Sequence, residues 1–347
     1  MSFLTSSIIR NSKLIMNTQI KLAVRPKGLP TDATWNIEKN EIPTAGENEM
    51  VVKNLYLSID PAMRGWLMDR KSYLPPVQIG EVMRALGVGQ VMESNIAKFP
   101  VGAYVSGAGG IQQYSLTNGK GWFQVDPNLV PLPVYTSAMG MTGFTAYFGL
   151  LDVGKPKEGE TVLVSGAAGA VGSMVGQIAK LKGCHVVGIA GSDEKCDYVV
   201  NELGFDACIN YKTENVFKGI KTHCPKGVDV YFDNVGGDIL DYALANLSFK
   251  ARVVLCGAIS QYNAIDPVGP KFYLSLLTNR AKMEGFVVID YAHRYQEAAQ
   301  EMGKWLMEGK LKTKEHIEKG IENYQATFMK LFNGDKKGKL ILQVNEA

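Results

Sequence analysis

The sequence predicts an α/β protein in which a doubly wound parallel sheet is joined to a β-rich, barrel-like domain. Three observations point there. The 347 residues exceed the roughly 150 that one domain commonly holds, so two domains are expected. From residue 161 onward, short apolar runs alternate with helix-length segments, the pattern of βαβ units. Before residue 125, short β-favouring runs are broken by frequent glycine, which suits a barrel-like domain.

The elements follow in chain order. Between Glu49 and Ile59, Val51, Leu55 and Leu57 alternate in part with more polar positions, and further short strands are expected from Ala85 to Val125. Thr161–Ser165 reads as a buried strand, a glycine-rich turn follows, and Val171–Leu181 has helical spacing. Strands are then expected at His185–Ala190, Ala207–Asn210, Val228–Asp233, Arg252–Cys256 and Gly285–Ile289, six in all with Thr161–Ser165. Ile321–Phe332 looks helical, and Lys339–Val344 looks like a strand returning to the first domain.

Composition bounds the function. With 46% hydrophobic and 20% charged residues the chain is ordinary for a folded protein, and 37 basic against 34 acidic residues give no nucleic-acid groove. No run approaches the ~18 apolar residues of a membrane span. All five Cys and all four His lie at or after Cys184. A zinc site or Cys/His nucleophile pair therefore finds no soft ligand in the first 183 residues. The Cys have no C-x-x-C spacing and an odd count, which fits structural thiols in a reducing, cytoplasmic compartment. A mitochondrial address competes with that expectation, because residues 1–31 carry Arg10, Lys13, Lys21, Arg25 and Lys27 and no acid. The alternative is an N-terminal extension over residues 1–16, Met16 being a second candidate start.

The sharpest motif is Gly166-Ala-Ala-Gly169-Ala-Val-Gly172, set between a strand and a helix. Chemistry requires that context: a tight turn, bare backbone beside a pyrophosphate, and a helix N-terminus whose free N–H groups face the anion. This is the Rossmann fingerprint. NAD sites place an acid about 20 residues on, to bind the ribose hydroxyls. Here that position is Gly191, followed by Ser192 and, close behind, Lys195. Room and a cation favour a 2′-phosphate, hence NADP. Asp193 and Glu194 pull the other way, although in a first helical turn they also suit the helix dipole.

A nicotinamide enzyme that oxidises alcohols needs zinc or a Tyr/Lys base for the hydroxyl proton. The zinc ligands are missing, and no Tyr is followed four residues later by Lys. Reduction of an activated carbon–carbon double bond demands less, since hydride goes to the β-carbon and a few donors stabilise the enolate. Quinone reduction also survives.

Several motifs now carry a resemblance. Tyr56-Leu-Ser-Ile-Asp-Pro-Ala-Met-Arg64, Met139-Gly-Met-Thr-Gly-Phe-Thr-Ala-Tyr-Phe148, Gly191-Ser-Asp-Glu-Lys195, Asn210-Tyr211-Lys212, Tyr231-Phe-Asp-Asn234-Val-Gly-Gly237 and Cys256-Gly-Ala-Ile-Ser-Gln-Tyr262-Asn263 stand together. From about Asn17 to Val344 the chain resembles the zinc-independent medium-chain dehydrogenase/reductases, within them the prostaglandin reductase, alkenal/one oxidoreductase and double-bond reductase group. The resemblance implies a GroES-like substrate domain over 17–138 and 316–347, an NADP-binding Rossmann domain over 139–315, and a homodimer. It implies that Gly169, Ala170, Val171 and Gly172 cradle the pyrophosphate and that Lys195 and Tyr211 meet the 2′-phosphate. Asn234, Cys256, Gly257, Ala258, Ile259, Ser260, Tyr262, Phe286, Val287 and Val288 are then expected on the nicotinamide side. Two departures are visible. The group's closing Asn is replaced in Gly334-Asp-Lys336-Lys-Gly-Lys339, and Ala62 stands where the group often has an aromatic.

The expected reaction is NADPH-dependent reduction of α,β-unsaturated ketones or aldehydes, with the α-carbon protonated from solvent. Tyr262 and Tyr56 are the candidate catalytic hydroxyls, and Tyr56 and Arg64 the candidate substrate contacts. Each has a duller reading: Tyr56 as barrel core, Tyr262 as a loop residue, Arg64 as a structural ion-pair partner. Cys256 is expected to be a small buried residue beside the cofactor rather than a nucleophile, because no His adjoins it. An NADPH:quinone reductase, or an NADPH-binding protein without turnover, remains open at this point.

Overall fold

The computed structural model describes residues 16–346. The N-terminal extension, and Arg10 and Lys13 of the expected address, lie outside them. Lys21 and Arg25 belong to the fold instead. Lys21 pairs with Glu38 at 2.6 Å, and the Arg25 guanidinium donates to the Leu67 carbonyl at 2.9 Å.

Three sheets form. Met16–Leu22 pairs antiparallel with Trp35–Glu41. A mostly antiparallel seven-stranded sheet runs from Glu315–Lys319 through Lys339–Gln343, Met50–Ser58, Gly87–Ser94 and Tyr104–Gly107 to Phe123–Gln124, with Tyr114–Thr117 also paired to Met50–Ser58. The chain therefore returns at its C-terminal end, as Lys339–Val344 predicted. The third sheet is parallel and six-stranded. Numbered within that sheet in chain order, its strands lie 3-2-1-4-5-6, the doubly wound arrangement.

Thr161–Ser165 sits at the centre of that sheet and is buried along its whole length. An uninterrupted Thr-Val-Leu-Val-Ser run is what a strand covered on both faces needs. One face packs against Met141–Phe148, Ala170–Leu181 and Tyr295–Met307, and the other against Val216–His223 and Gly237–Leu244. Such a sheet reverses its winding between the first and fourth strands, and ligands enter at the carboxyl ends there.

Two strand boundaries differ from expectation. The fifth strand begins earlier, at Leu247, and a register shift lies between Val228 and Val230 of its partner. The sixth is Lys282–Gly285 rather than Gly285–Ile289. Gly285 makes the last pairing, with Leu255, and Phe286 to Val288 then leave the sheet toward the cleft. Apolar residues there line a cavity instead of continuing a ladder. Among the described residues, no helix is long and apolar enough to cross a membrane.

Candidate active site

A cleft of ≈ 1440 Å³ opens at the carboxyl ends of the parallel strands and is walled on the other side by residues of the antiparallel sheet's loops. Its floor is the glycine turn. Gly166 has a φ of +62°, and a Cβ on Gly172 would lie 2.4 Å from the Gly166 carbonyl oxygen, so helix and strand meet closer than any other residue allows. Gly169 caps the helix Ala170–Leu181 with no side chain. Its first N–H groups are left for an anion, as a pyrophosphate cradle requires.

At the adenosine end, a Cβ on Gly191 would lie 2.8 Å from the Tyr211 hydroxyl, so the missing side chain lets that ring close over the strand end. The two acids that argued against a 2′-phosphate are both engaged. Asp193 accepts from the Asn210 amide at 2.7 Å, and Glu194 is ion-paired with Lys337. Lys195, Tyr211 and Lys212 all line the cleft. Lys195 donates to the Gly334 carbonyl, and burial, then repulsion from Lys212, holds its ammonium below the usual lysine range. Two cations kept close enough to repel each other suit a dianionic phosphate. Ser192 does not line the cleft: its Oγ accepts from the Lys195 backbone as the cap of Asp193–Asp197.

The middle of the site is fixed by a buried carboxylate. Asp233 Oδ1 accepts from the Tyr231 hydroxyl (2.7 Å), the Ser165 hydroxyl (3.0 Å) and the Val235 and Gly236 amides (3.0 and 2.9 Å). The turn it builds puts Asn234 on the cleft wall, held by a 2.8 Å bond from its amide to the Ser165 carbonyl. Cys256, Gly257, Ile259, Ser260 and Tyr262 continue that wall. Ala258 is absent from it, its N–H donating instead to the Tyr262 hydroxyl at 3.2 Å. Burial pushes the Cys256 thiol up to about 12, so it stays protonated and inert. Phe286, Val287 and Val288 close the far side.

Tyr262 is where the sequence placed it. Its oxygen accepts from Ala258, its own hydrogen remains to donate, and burial raises its pKa, so it is a neutral hydroxyl. Tyr56 is not in the cleft. It packs with Tyr104, Val130 and Met139 around Leu55, Val88, Leu132 and Tyr135, in one cluster with its neighbour Leu55, where the strand pairing shifts register between Asn54 and Tyr56. A tyrosine that does line the cleft is Tyr73, close enough to Tyr262 to disfavour that residue's ionisation. Tyr73 lies in an irregular segment after residue 70 with no periodicity to betray it. The only sequence signal was a Tyr-Leu-Pro-Pro turn.

Arg64 is also corrected. It is buried at 2% exposure and outside the cleft, with its guanidinium donating to the Gly28 carbonyl (2.7 Å), the Pro26 carbonyl (3.4 Å) and the Asn263 Oδ1 (2.9 Å). A packed helix, Ala62–Trp66, turns it inward as a tie between loops rather than toward a substrate. Ala62, Trp66, Leu74, Leu86 and Arg84 line the end of the cleft beside Tyr73, and Arg84 lies 5.3 Å over the Trp66 ring. This end is largely apolar, with Tyr73 and Arg84 among its donors.

Comparison with known proteins bears on this geometry. The family described as the N-terminal domain of oxidoreductase matches residues 18–125, and that described as zinc-binding dehydrogenase matches 170–304. The NADPH-dependent curcumin reductase of Escherichia coli is 41% identical over 334 residues, 94% of this chain and 97% of its own. The chain belongs to the zinc-independent medium-chain dehydrogenase/reductases. Another member, the 2-alkenal reductase (NADP(+)-dependent) of Nicotiana tabacum, is 40% identical over 95% of this chain and 98% of its own. The crystal structure of CurA from Vibrio vulnificus in complex with NADPH superimposes with a TM-score of 0.90 at 45% identity, covering 95% and 100% of the two chains. As a member of these reductases, the protein is an NADP-dependent oxidoreductase. Among its described residues, no three or more His, Cys, Asp or Glu are grouped to hold a metal ion.

Proposed function

We propose that this medium-chain reductase saturates the carbon–carbon double bond of α,β-unsaturated ketones or aldehydes. The observation that carries the reading is the cleft itself: an apolar substrate end whose neutral hydroxyls, Tyr262 and Tyr73, adjoin the Asn234 and Cys256–Tyr262 wall. Bound NADPH supplies the hydride. The chain's own part is to hold the enone's β-carbon over that wall while a hydroxyl donates to its carbonyl oxygen, stabilising the enolate. Solvent protonates the α-carbon, so no side chain serves as a general base. Relatives named for curcumin and 2-alkenal reduction support this substrate class.

In our reading residues 17–138 and 316–347 form the substrate domain and 139–315 the cofactor domain. We also propose a cytoplasmic homodimer. Five free thiols suit a reducing compartment. Among the described residues the strand Lys282–Gly285 is an unpaired sheet edge, and Leu277, on the helix packed beside it, is 74% exposed, a surface that a second copy would cover. Sedimentation of the purified protein tests the dimer.

For the reaction, NADPH oxidation is followed by absorbance with an aliphatic enal, an aryl enone and a quinone, beside an alcohol with NADP⁺. Turnover of enal and enone is expected. Oxidation with quinone alone would sink the proposal, and NADPH binding without oxidation in any lane would make the protein a non-catalytic binder.

A further inference from the structure

Lys336 occupies a place that nothing so far explains. It lies on the segment Gly334–Lys339, which is stitched to the cofactor floor at both ends. The Lys195 ammonium donates to the Gly334 carbonyl, and the Gly338 N–H donates to the Ala168 carbonyl at 2.9 Å. Between these ties, the half-buried Lys336 lines the cleft, and its Nζ would be 3.9 Å from a Cβ placed on Gly169. The ammonium thus stands beside the first residue of the anion cradle.

Its partners are poor. The neighbouring cations are matched: Lys337 pairs with Glu194, and Lys339 with Asp60 at 2.6 Å and the Ile59 carbonyl at 3.1 Å. Lys336 has one long contact, to the Gly338 carbonyl at 3.4 Å, and no acid within ion-pair range among the described residues. A cation taken from water beside two others is costly until an anion arrives. We propose that Lys336 is the residue that meets the cofactor's diphosphate beside Gly169, a charge where the group's usual side chain is a neutral amide.

The charges around it agree. Burial, reinforced by Lys339 and Lys195 and only partly offset by Asp60, draws its ammonium down to about 8. A diphosphate favours the charged form, so binding takes up a proton above that pH. NADP⁺ affinity should therefore fall about tenfold between pH 7 and 9.

The test is binding, independent of any substrate. Dissociation constants for NADP⁺ are measured by calorimetry at pH 7, 8 and 9 on the wild type, Lys336→Asn and Lys336→Arg, with adenosine 2′-monophosphate as a probe lacking the diphosphate. Lys336→Asn should bind NADP⁺ roughly ten- to a hundredfold more weakly at pH 7 and lose the extra pH slope. Lys336→Arg, charged throughout, should bind tightly and also lose it. The monophosphate should bind all three alike. Lys336→Asn matching the wild type in affinity and slope would overturn the proposal. So would equal weakening toward the monophosphate, which would trace the effect to Lys195 through Gly334.

Discussion

Arg64 Nε donates to Asn263 Oδ1 at 2.9 Å, joining the Ala62–Trp66 helix to the loop that carries Tyr262. The bond crosses from the antiparallel sheet's side of the cleft to the cofactor side. A charged, buried donor makes it strong, and among the described residues one guanidinium nitrogen, Nη1, is already left without a partner. The cleft's two walls are therefore held in register by a residue that does not touch the cleft.

Removing that tie should cost both stability and alignment. Arg64→Ala is expected to lower unfolding free energy by about 2–4 kcal/mol in urea titration, the range for breaking buried charge-assisted bonds. KM for an enone should rise more than kcat falls, because Tyr262 stays present but its loop loosens. An unchanged urea midpoint would show that the bond contributes nothing.

At the adenosine end, Lys195→Ala should weaken NADPH binding roughly ten- to a hundredfold and leave NADH little changed, since a charge-assisted contact is worth about 1.5–3 kcal/mol. Gly191→Asp should act in the same direction for two reasons. It adds a carboxylate where Lys195 and Tyr211 would hold a 2′-phosphate, and its Cβ would fall 2.8 Å from the Tyr211 hydroxyl. Fluorescence titration with both dinucleotides reads each effect.

The hydroxyl pair makes a graded prediction. Tyr262→Phe or Tyr73→Phe should each lower kcat by about a hundred- to a thousandfold without abolishing it, because a single oxyanion donor is removed and no base is lost. The double variant should be slower than either. Unchanged turnover of several enones by Tyr262→Phe would remove that residue from the reaction.

Much of this was readable in the sequence, and what was not has physical causes. Strands buried on both faces, such as Thr161–Ser165 and Val228–Asp233, announce themselves as apolar runs, and the Gly166–Gly172 turn has a composition few other structures need. Of the residues expected at the cofactor, all but Ser192 and Ala258 therefore line the cleft. The substrate half was not legible. Tyr56 and Tyr73 are both tyrosines of the first hundred residues, and only a register shift in Met50–Ser58 and the path of an aperiodic loop decide which one faces the cleft. Phe286 to Val288 have the composition of a strand and were read as one. Gly285 ends the ladder, which composition does not encode.

Lys336 also shapes the cofactor-free protein. Its folded pKa, about 8, lies below the ordinary lysine value of 10.5, so the unfolded chain binds more protons between those values and stability rises with pH across them. The difference in urea midpoint between wild type and Lys336→Met should therefore shift in the wild type's favour from pH 8 to 10, opposite in sign to the change in NADP⁺ affinity. A constant difference would place Lys336 in ordinary solvent.

Saturation of a conjugated double bond by a neutral hydroxyl and no base fixes the origin of each hydrogen added to the product. NADPH deuterated at the transferring position, given a simple enone in ordinary water, leaves its label where NMR of the product can read it. One deuterium is expected on the β-carbon, a solvent hydrogen on the α-carbon and the carbonyl intact. Deuterium on the carbonyl carbon of an allylic alcohol would contradict it.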